Sequence, residues 1–114
     1  MTDPQIPEVD VAEARRRLEA GAALLDVREA HEWATGHAAT AQWIPMGELA
    51  ARRGEVPTDR EVVVICRSGA RSAKVTQALV EAGHRASNLA GGMQAWAAEG
   101  LPIVTEDGDP GNVA

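Results

Sequence analysis

One stretch of the sequence indicates the fold: Val62-Val63-Val64-Ile65-Cys66-Arg67-Ser68-Gly69-Ala70-Arg71-Ser72. Its four consecutive β-branched residues predict a strand covered on both faces, as in the middle of a parallel sheet. A short polar loop follows at once, and good helix formers then run over residues 71–82. The only cysteine of the 114-residue chain, Cys66, therefore lies at a junction of strand, loop and helix.

This junction favours a negatively charged sulfur on Cys66. Backbone N–H groups and the positive end of a helix dipole stabilise a thiolate relative to a thiol. If the loop curls around the sulfur, its N–H groups form an anion nest. The residues of this nest are Arg67, Ser68, Gly69, Ala70, Arg71 and Ser72. Its serines offer hydroxyl donors, and we expect its arginines to lower the thiol pKa from about 8.5. The alternative is a buried, inert cysteine.

Strand and helix patterns alternate along the rest of the chain. We predict strands over 22–27, 41–44, 62–65 and 85–89, and helices over 11–20, 29–35, 46–53, 71–82 and 93–99. This alternation predicts an α/β fold, with a parallel sheet and helices on both of its faces. Ligand sites in such sheets lie at the carboxyl ends of the strands. Cys66, Asp26-Val27-Arg28 and Ala90-Gly91-Gly92 all follow strands, so we expect them to converge.

Length and composition indicate one small domain. We expect it to span residues 9–103, with flexible segments at 1–8 and, rich in acidic residues, glycine and proline, at 104–114. The net charge of −6 argues against binding to nucleic acid. The N-terminus does not resemble a signal peptide, and no apolar run is long enough to span a membrane. We therefore expect a cytoplasmic monomer that does not bind membranes.

A single cysteine excludes a disulfide within the chain, a Cys-x-x-Cys redox pair and a cysteine-rich zinc site. The three histidines share no metal-binding spacing, so we expect neither a metal nor a cofactor. Asp26 and Arg28 either support the pocket or form structural pairs, Arg28 with Glu32 and Asp26 with nearby N–H groups. We expect His37 to hold a turn by a hydrogen bond.

Several motifs, in this order, resemble the landmarks of a single-domain rhodanese. They are Leu24-Leu25-Asp26-Val27-Arg28-Glu29, Glu32-Trp33, Gly36-His37, Ile44-Pro45, Val63-Val64-Ile65-Cys66-Arg67-Ser68-Gly69-Ala70-Arg71-Ser72 and Leu89-Ala90-Gly91-Gly92-Met93-Gln94-Ala95-Trp96. The resemblance covers residues 9–103. It departs from the family at Ala38-Ala39-Thr40-Ala41, where an apolar residue and Pro-Gly-Ala are usual. That departure affects the local turn and the start of the next strand.

The resemblance implies a rhodanese-like three-layer domain around a five-stranded parallel sheet. It also implies a sulfurtransferase in which Cys66 carries sulfur as a persulfide, cradled by residues 67–72. The donor would be a small anion such as thiosulfate, and the acceptor an external thiol, a protein persulfide acceptor or, in an assay, cyanide.

Three other functions remain open from the sequence. The first is a sulfur carrier that barely turns over thiosulfate. The second is a phosphatase or arsenate reductase, although those enzymes use a Cys-x5-Arg loop and this loop is Cys-x4-Arg. The third is a non-enzymatic interaction module, which the presence of Cys66 in an intact loop disfavours.

Overall fold

The computed structural model describes residues 6–114, and residues 1–5 lie outside the described part. Within residues 6–114, five strands and four α-helices alternate along the chain. The strands are β1 (Glu8–Val9), β2 (Ala23–Asp26), β3 (Gln42–Trp43), β4 (Val62–Ile65) and β5 (Ala86–Leu89). The α-helices are α1 (Val11–Glu19), α2 (Ala30–Thr35), α3 (Ala70–Glu81) and α4 (Gly92–Ala98). Two short 3₁₀ helices cover Met46–Glu48 and Arg53–Glu55.

The five strands form one parallel sheet in the order β1-β5-β4-β2-β3, which confirms the predicted fold class. The most apolar strand, β4, lies at the centre of the sheet, where all four of its side chains are buried. In the register of the sheet, Ile65 is paired with Asp26 of β2, and Val64 with Asn88 of β5. The carboxyl ends of these three strands therefore meet around Cys66.

Alternate residues of the strands face two separate apolar layers. Leu25, Val62, Val64 and Cys66 pack with Val75 and Leu79 of α3. The intervening residues Leu24, Val63, Ile65 and Leu89 pack with α1 and α4. This alternation follows from the two-residue repeat of a strand, and it makes the domain a three-layer structure. None of the helices in residues 6–114 has the length and hydrophobicity that a bilayer span requires.

Two expectations about secondary structure were wrong. The helix predicted over 46–53 is instead two 3₁₀ turns, with Gly47 inside the first and Gly54 inside the second, and glycine disfavours an α-helix. Strand β1 was missed because it has only two residues, one of them in the segment expected to be flexible. At the unusual Ala38-Ala39-Thr40-Ala41 segment, the N–H of Ala41 donates to the carbonyl of Ala38 and closes a turn directly before β3.

Residues 104–114 also differ from the expectation of a flexible tail, because they pack against the domain. Val104 exchanges two backbone hydrogen bonds with His37, each 2.9 Å long, and Asn112 N–H donates to the carbonyl of Thr35. Gly111 packs directly on the backbone of Gly36, where neither residue has a side chain to separate them. Backbone hydrogen bonds account for this docking together with Val113, which packs against the apolar layer of α1 and α4. The domain bounds 9–103 stay a prediction.

Candidate active site around Cys66

Cys66 is the first residue after β4, and its side chain is directed into the loop that leads to α3. The residue is only 1% exposed. Its Sγ accepts a hydrogen bond from the N–H of Gly69 at 3.1 Å and one from the hydroxyl of Ser72 at 3.2 Å. The loop thus curls around the sulfur, which is the condition under which we expect its N–H groups to form an anion nest.

The donors around the sulfur determine its ionisation. Burial raises the pKa of the Cys66 thiol, but the Ser72 hydroxyl and the backbone N–H groups of Ser72, Gly69 and Ser68 outweigh it and hold that pKa below its ordinary value. Ser68 contributes its backbone N–H, whereas we had expected its hydroxyl to contribute. The lowering comes chiefly from uncharged hydrogen-bond donors, whereas we had also expected a contribution from the charge of the two arginines.

The curl of the loop depends on two glycine-containing segments. Gly69 has a φ of +105°, a left-handed conformation that side chains disfavour. On the other side of the loop, the N-terminus of α4 donates from Met93 N–H to the carbonyl of Cys66 at 2.8 Å, and from Gln94 N–H to the carbonyl of Arg67 at 3.0 Å. A Cβ at Gly92 would overlap these two carbonyls. Because α4 holds the carbonyls on the outside, the loop N–H groups are free to face the sulfur.

Arg71, the last residue of the Cys-x4-Arg loop, is held by a carboxylate from α2. Its two terminal nitrogens lie 2.7 and 2.8 Å from the two carboxylate oxygens of Glu32. The Arg71 side chain is 33% exposed, and that of Glu32 is 8% exposed. The Arg71 hydrogen bond lowers the pKa of Glu32 to about 2, with burial opposing it. Glu32 therefore remains ionised at neutral pH and fixes one cation at the rim of the loop.

Asp26 and Arg28 form a fully buried ion pair with each other, so the expected pairing of Arg28 with the Glu32 carboxylate was wrong. Arg28 Nη2 lies 2.8 Å from Asp26 Oδ2, and both side chains are 0% exposed. Arg28 also donates to the backbone carbonyls of Glu32 and Gly36. Asp26 does accept one loop N–H, that of Arg28 itself. The pair joins the end of β2 to the middle and the C-terminal end of α2, which supports the structural alternative.

The remaining loop side chains face solvent. Arg67, Ser68 and Ala70 are exposed, and Arg67 Nε donates to the backbone oxygen of Ala114 in the docked C-terminal segment. His37 holds its turn as predicted, with Nδ1 2.9 Å from the carbonyl of Trp33, and its ring stacks on Trp33 at 3.5 Å.

Two residues of the site were missed from the sequence, Glu32 as the partner of Arg71 and Asn88 of β5. Asn88 is 1% exposed, and its Nδ2 donates to the carbonyl of Gly69 at 3.2 Å. A polar residue inside an otherwise buried strand is a signal that identifies Asn88. No comparable signal identifies the pair of Glu32 and Arg71, which lie 39 residues apart.

A cavity of about 280 Å³ lies at the opposite edge of the sheet, beside the residues that precede β2, β4 and β5. Its charged lining consists of Arg17, Asp59, Arg60, Glu61 and Arg85. These side chains include no thiol or hydroxyl group, so we place the candidate chemistry at Cys66 and not in this cavity.

Several known proteins are similar to this chain. A family model described as "Rhodanese-like domain" matches residues 10–99. A sulfurtransferase of Allochromatium vinosum is 45% identical over 86 residues, which cover 75% of this chain and 80% of that protein. Thiosulfate sulfurtransferase 18 of Arabidopsis thaliana is 34% identical, with 93% of this chain and 89% of that protein covered. The crystal structure of a rhodanese-related protein from Thermoplasma volcanium superposes with a TM-score of 0.82 and 33% identity, covering 88% of this chain and 99% of that one.

Proposed function

The chain belongs to the family of rhodanese-like domains, and from this premise we propose that it transfers sulfane sulfur from thiosulfate to an external nucleophile through a persulfide on Cys66. The single observation that carries the proposal is the set of hydrogen bonds that converge on Cys66 Sγ. Donors at this position stabilise a thiolate before the reaction and a persulfide anion after it. Thiosulfate is the donor named for the Arabidopsis relative.

In the first step, the Cys66 thiolate attacks the outer sulfur of thiosulfate. A new S–S bond forms to Cys66, the S–S bond of thiosulfate breaks, and sulfite leaves with the bonding electron pair. The lowered pKa of Cys66 supports this step because it increases the fraction of thiolate at neutral pH. The exposed cation of Arg67 and the fixed cation of Arg71 favour the approach of a dianion.

In the second step, an external nucleophile attacks the outer sulfur of the persulfide. The S–S bond to Cys66 breaks, its electron pair returns to Cys66 as thiolate, and the nucleophile departs with the sulfur. Cyanide gives thiocyanate in this way, and a thiol gives a new persulfide. Because the chain has one cysteine, it holds no second thiol that would release the sulfur by forming a disulfide within this chain.

The decisive experiment is intact mass spectrometry after incubation with thiosulfate and no reductant. The wild type is expected to gain the mass of one sulfur atom, and added cyanide is expected to reverse the gain with release of thiocyanate. The matched control is Cys66→Ser, which changes one atom and retains a buried polar group. It is expected to gain nothing and to remain folded by circular dichroism.

Two results would overturn the proposal. A sulfur gain in Cys66→Ser would place the chemistry at another residue. A gain from a persulfidated protein but none from thiosulfate would assign a sulfur carrier instead of a thiosulfate enzyme. Hydrolysis of an aryl phosphate by the wild type would favour the phosphatase alternative, which the short Cys-x4-Arg loop disfavours.

A further inference from the structure

Asn88 is a buried polar residue at the carboxyl end of β5. Its side-chain nitrogen makes two hydrogen bonds, to Glu8 Oε2 of β1 at 3.0 Å and to the carbonyl of Gly69 at 3.2 Å. Among residues 6–114, its side-chain oxygen is buried and has no hydrogen-bond partner. The orientation of the amide is fixed by its neighbours, since both are acceptors and require the NH₂ group.

The contact with Gly69 connects Asn88 to the sulfur. Gly69 is the residue whose N–H donates to Cys66 Sγ, and its left-handed φ of +105° sets the direction of that N–H. The carbonyl of Gly69 is held from two sides, by Asn88 and by the N–H of Ala73 in α3. With β5 as a rigid support, Asn88 therefore limits the rotation of the peptide groups that flank Gly69.

Stability alone does not explain an asparagine at this position. Its unpartnered oxygen is buried, and burial of an unsatisfied polar atom costs free energy. An apolar side chain of similar volume would avoid that cost. Neither acceptor would be left without a hydrogen bond. The carbonyl of Gly69 still accepts from the N–H of Ala73, and the exposed carboxylate of Glu8 can accept from water. What an apolar residue cannot supply is the donor to the Gly69 carbonyl.

We infer that Asn88 is a positioning residue, which holds the loop so that Gly69 N–H is directed at the sulfur of Cys66. The inference deepens the proposed function, on which its importance for sulfur transfer rests. Asn88 touches no reacting atom. It acts through Gly69, and Glu8 of β1 completes the support from the far side of β5.

The test is the pH dependence of Cys66 alkylation by iodoacetamide in Asn88→Leu. Loss of the aligned donor is expected to raise the thiol pKa by about half a unit to one unit, and to slow alkylation at neutral pH about three- to tenfold. The other charged groups at the loop, Arg67, Arg71 and Glu32, remain unchanged. The matched control is Ser87→Ala, which removes the neighbouring buried polar group of β5, whose hydroxyl accepts from Arg17 at the other edge of the sheet.

A raised thiol pKa in Asn88→Leu, with wild-type values in Ser87→Ala, would establish the positioning role. Thermal unfolding separates this role from a structural one, since a merely structural residue would lower the melting temperature and leave the pKa of the folded protein unchanged. That second pattern would overturn the inference. If Asn88→Leu does not fold, Asn88→Ser, which is too short to reach Gly69, provides the same comparison. Alkylation needs no sulfur donor, so its result is independent of whether Cys66 accepts sulfur from thiosulfate.

Discussion

The two edges of the sheet carry arginine–carboxylate pairs of similar chemistry in very different surroundings. At the carboxyl edge, the pair of Asp26 and Arg28 is fully buried, and Glu32 is nearly so. At the amino edge, the pair of Arg17 and Glu61 is 3.4 Å apart, with 35% and 44% of the side chains exposed. Exposed pairs are weakened by water and salt, whereas a buried charge that loses its partner is strongly destabilising.

The charged side chains at the carboxyl edge therefore stabilise the fold and position the sulfur loop, and they do not bind the sulfur directly. Asp26 and Arg28 fix the α2 segment, and Glu32 of α2 then fixes Arg71 beside the sulfur loop. The sulfur itself is surrounded by uncharged donors. At the amino edge, no comparable sequence of contacts leads to a thiol within residues 6–114.

The largest effect is expected from Arg28→Met, which leaves Asp26 charged and buried without its partner. We expect a loss of about 3–5 kcal/mol in the free energy of unfolding, measured by urea denaturation. The double variant Asp26→Asn with Arg28→Met is the control, and it should recover part of the loss because no uncompensated charge remains. A loss as small as that of an exposed pair would contradict the burial of the pair.

Glu32→Gln removes one charge and keeps the shape of the side chain, including an oxygen for the capping contact with Glu29 N–H. The pKa of Glu32 is about 2 in the folded state, below its ordinary 4.5. The ionised carboxylate therefore stabilises the fold fully above pH 4.5, and this stabilisation is lost as the pH falls toward 2. We expect a loss of about 2 kcal/mol at pH 7, a discounted value since Arg71 is partly exposed. Urea denaturation at several pH values should show the difference from wild type disappearing near pH 2. A constant difference over this range would contradict the ionised pair.

Ser72→Ala tests the uncharged donors. It removes the hydroxyl that donates to Cys66 Sγ at 3.2 Å, so the thiol pKa should rise by up to about one unit. The pH profile of iodoacetamide alkylation measures this shift. An unchanged profile would mean that the backbone N–H groups alone set the ionisation of the sulfur.

Glu61→Gln makes the same chemical change as Glu32→Gln, but at the exposed pair on the amino edge of the sheet. We expect no resolvable change in the urea midpoint at low or physiological salt, and an unaltered alkylation profile for Cys66. A loss that matched that of Glu32→Gln would show that burial does not separate the two edges.

The central part of the fold was predictable because its signals are local. The bounds of β4 were predicted without error, and α3 begins and ends one residue before the prediction. In contrast, β1 forms only because Glu8 and Val9 pair with β5, some 80 residues away in the chain, and no local pattern in a proline-containing segment indicates such pairing.

The candidate site, like the fold, was predictable only where its signals lie close together in the sequence. The loop, its thiol and the Ser72 donor follow from one contiguous motif, so the sequence was sufficient. The partners of the charged side chains could not be predicted from the sequence. We expected Arg28 to pair with Glu32, but the end of β2 places Arg28 against Asp26, and the Glu32 carboxylate pairs with Arg71 of α3 instead. Which of two arginines a carboxylate meets depends on how α2 and α3 pack.

The N-terminus of α4 has one more consequence, for how the loop tolerates sequence change. Because N–H groups of α4 hold the carbonyls of Cys66 and Arg67, main-chain hydrogen bonds fix the shape of the loop on this side. The side chains of Arg67, Ser68 and Ala70 project outward and are not needed for that shape. Substitutions at these three positions can therefore change which molecules approach the sulfur without changing the hydrogen bonds that set its reactivity. New specificities would then evolve, or be engineered, on an unchanged reactive centre.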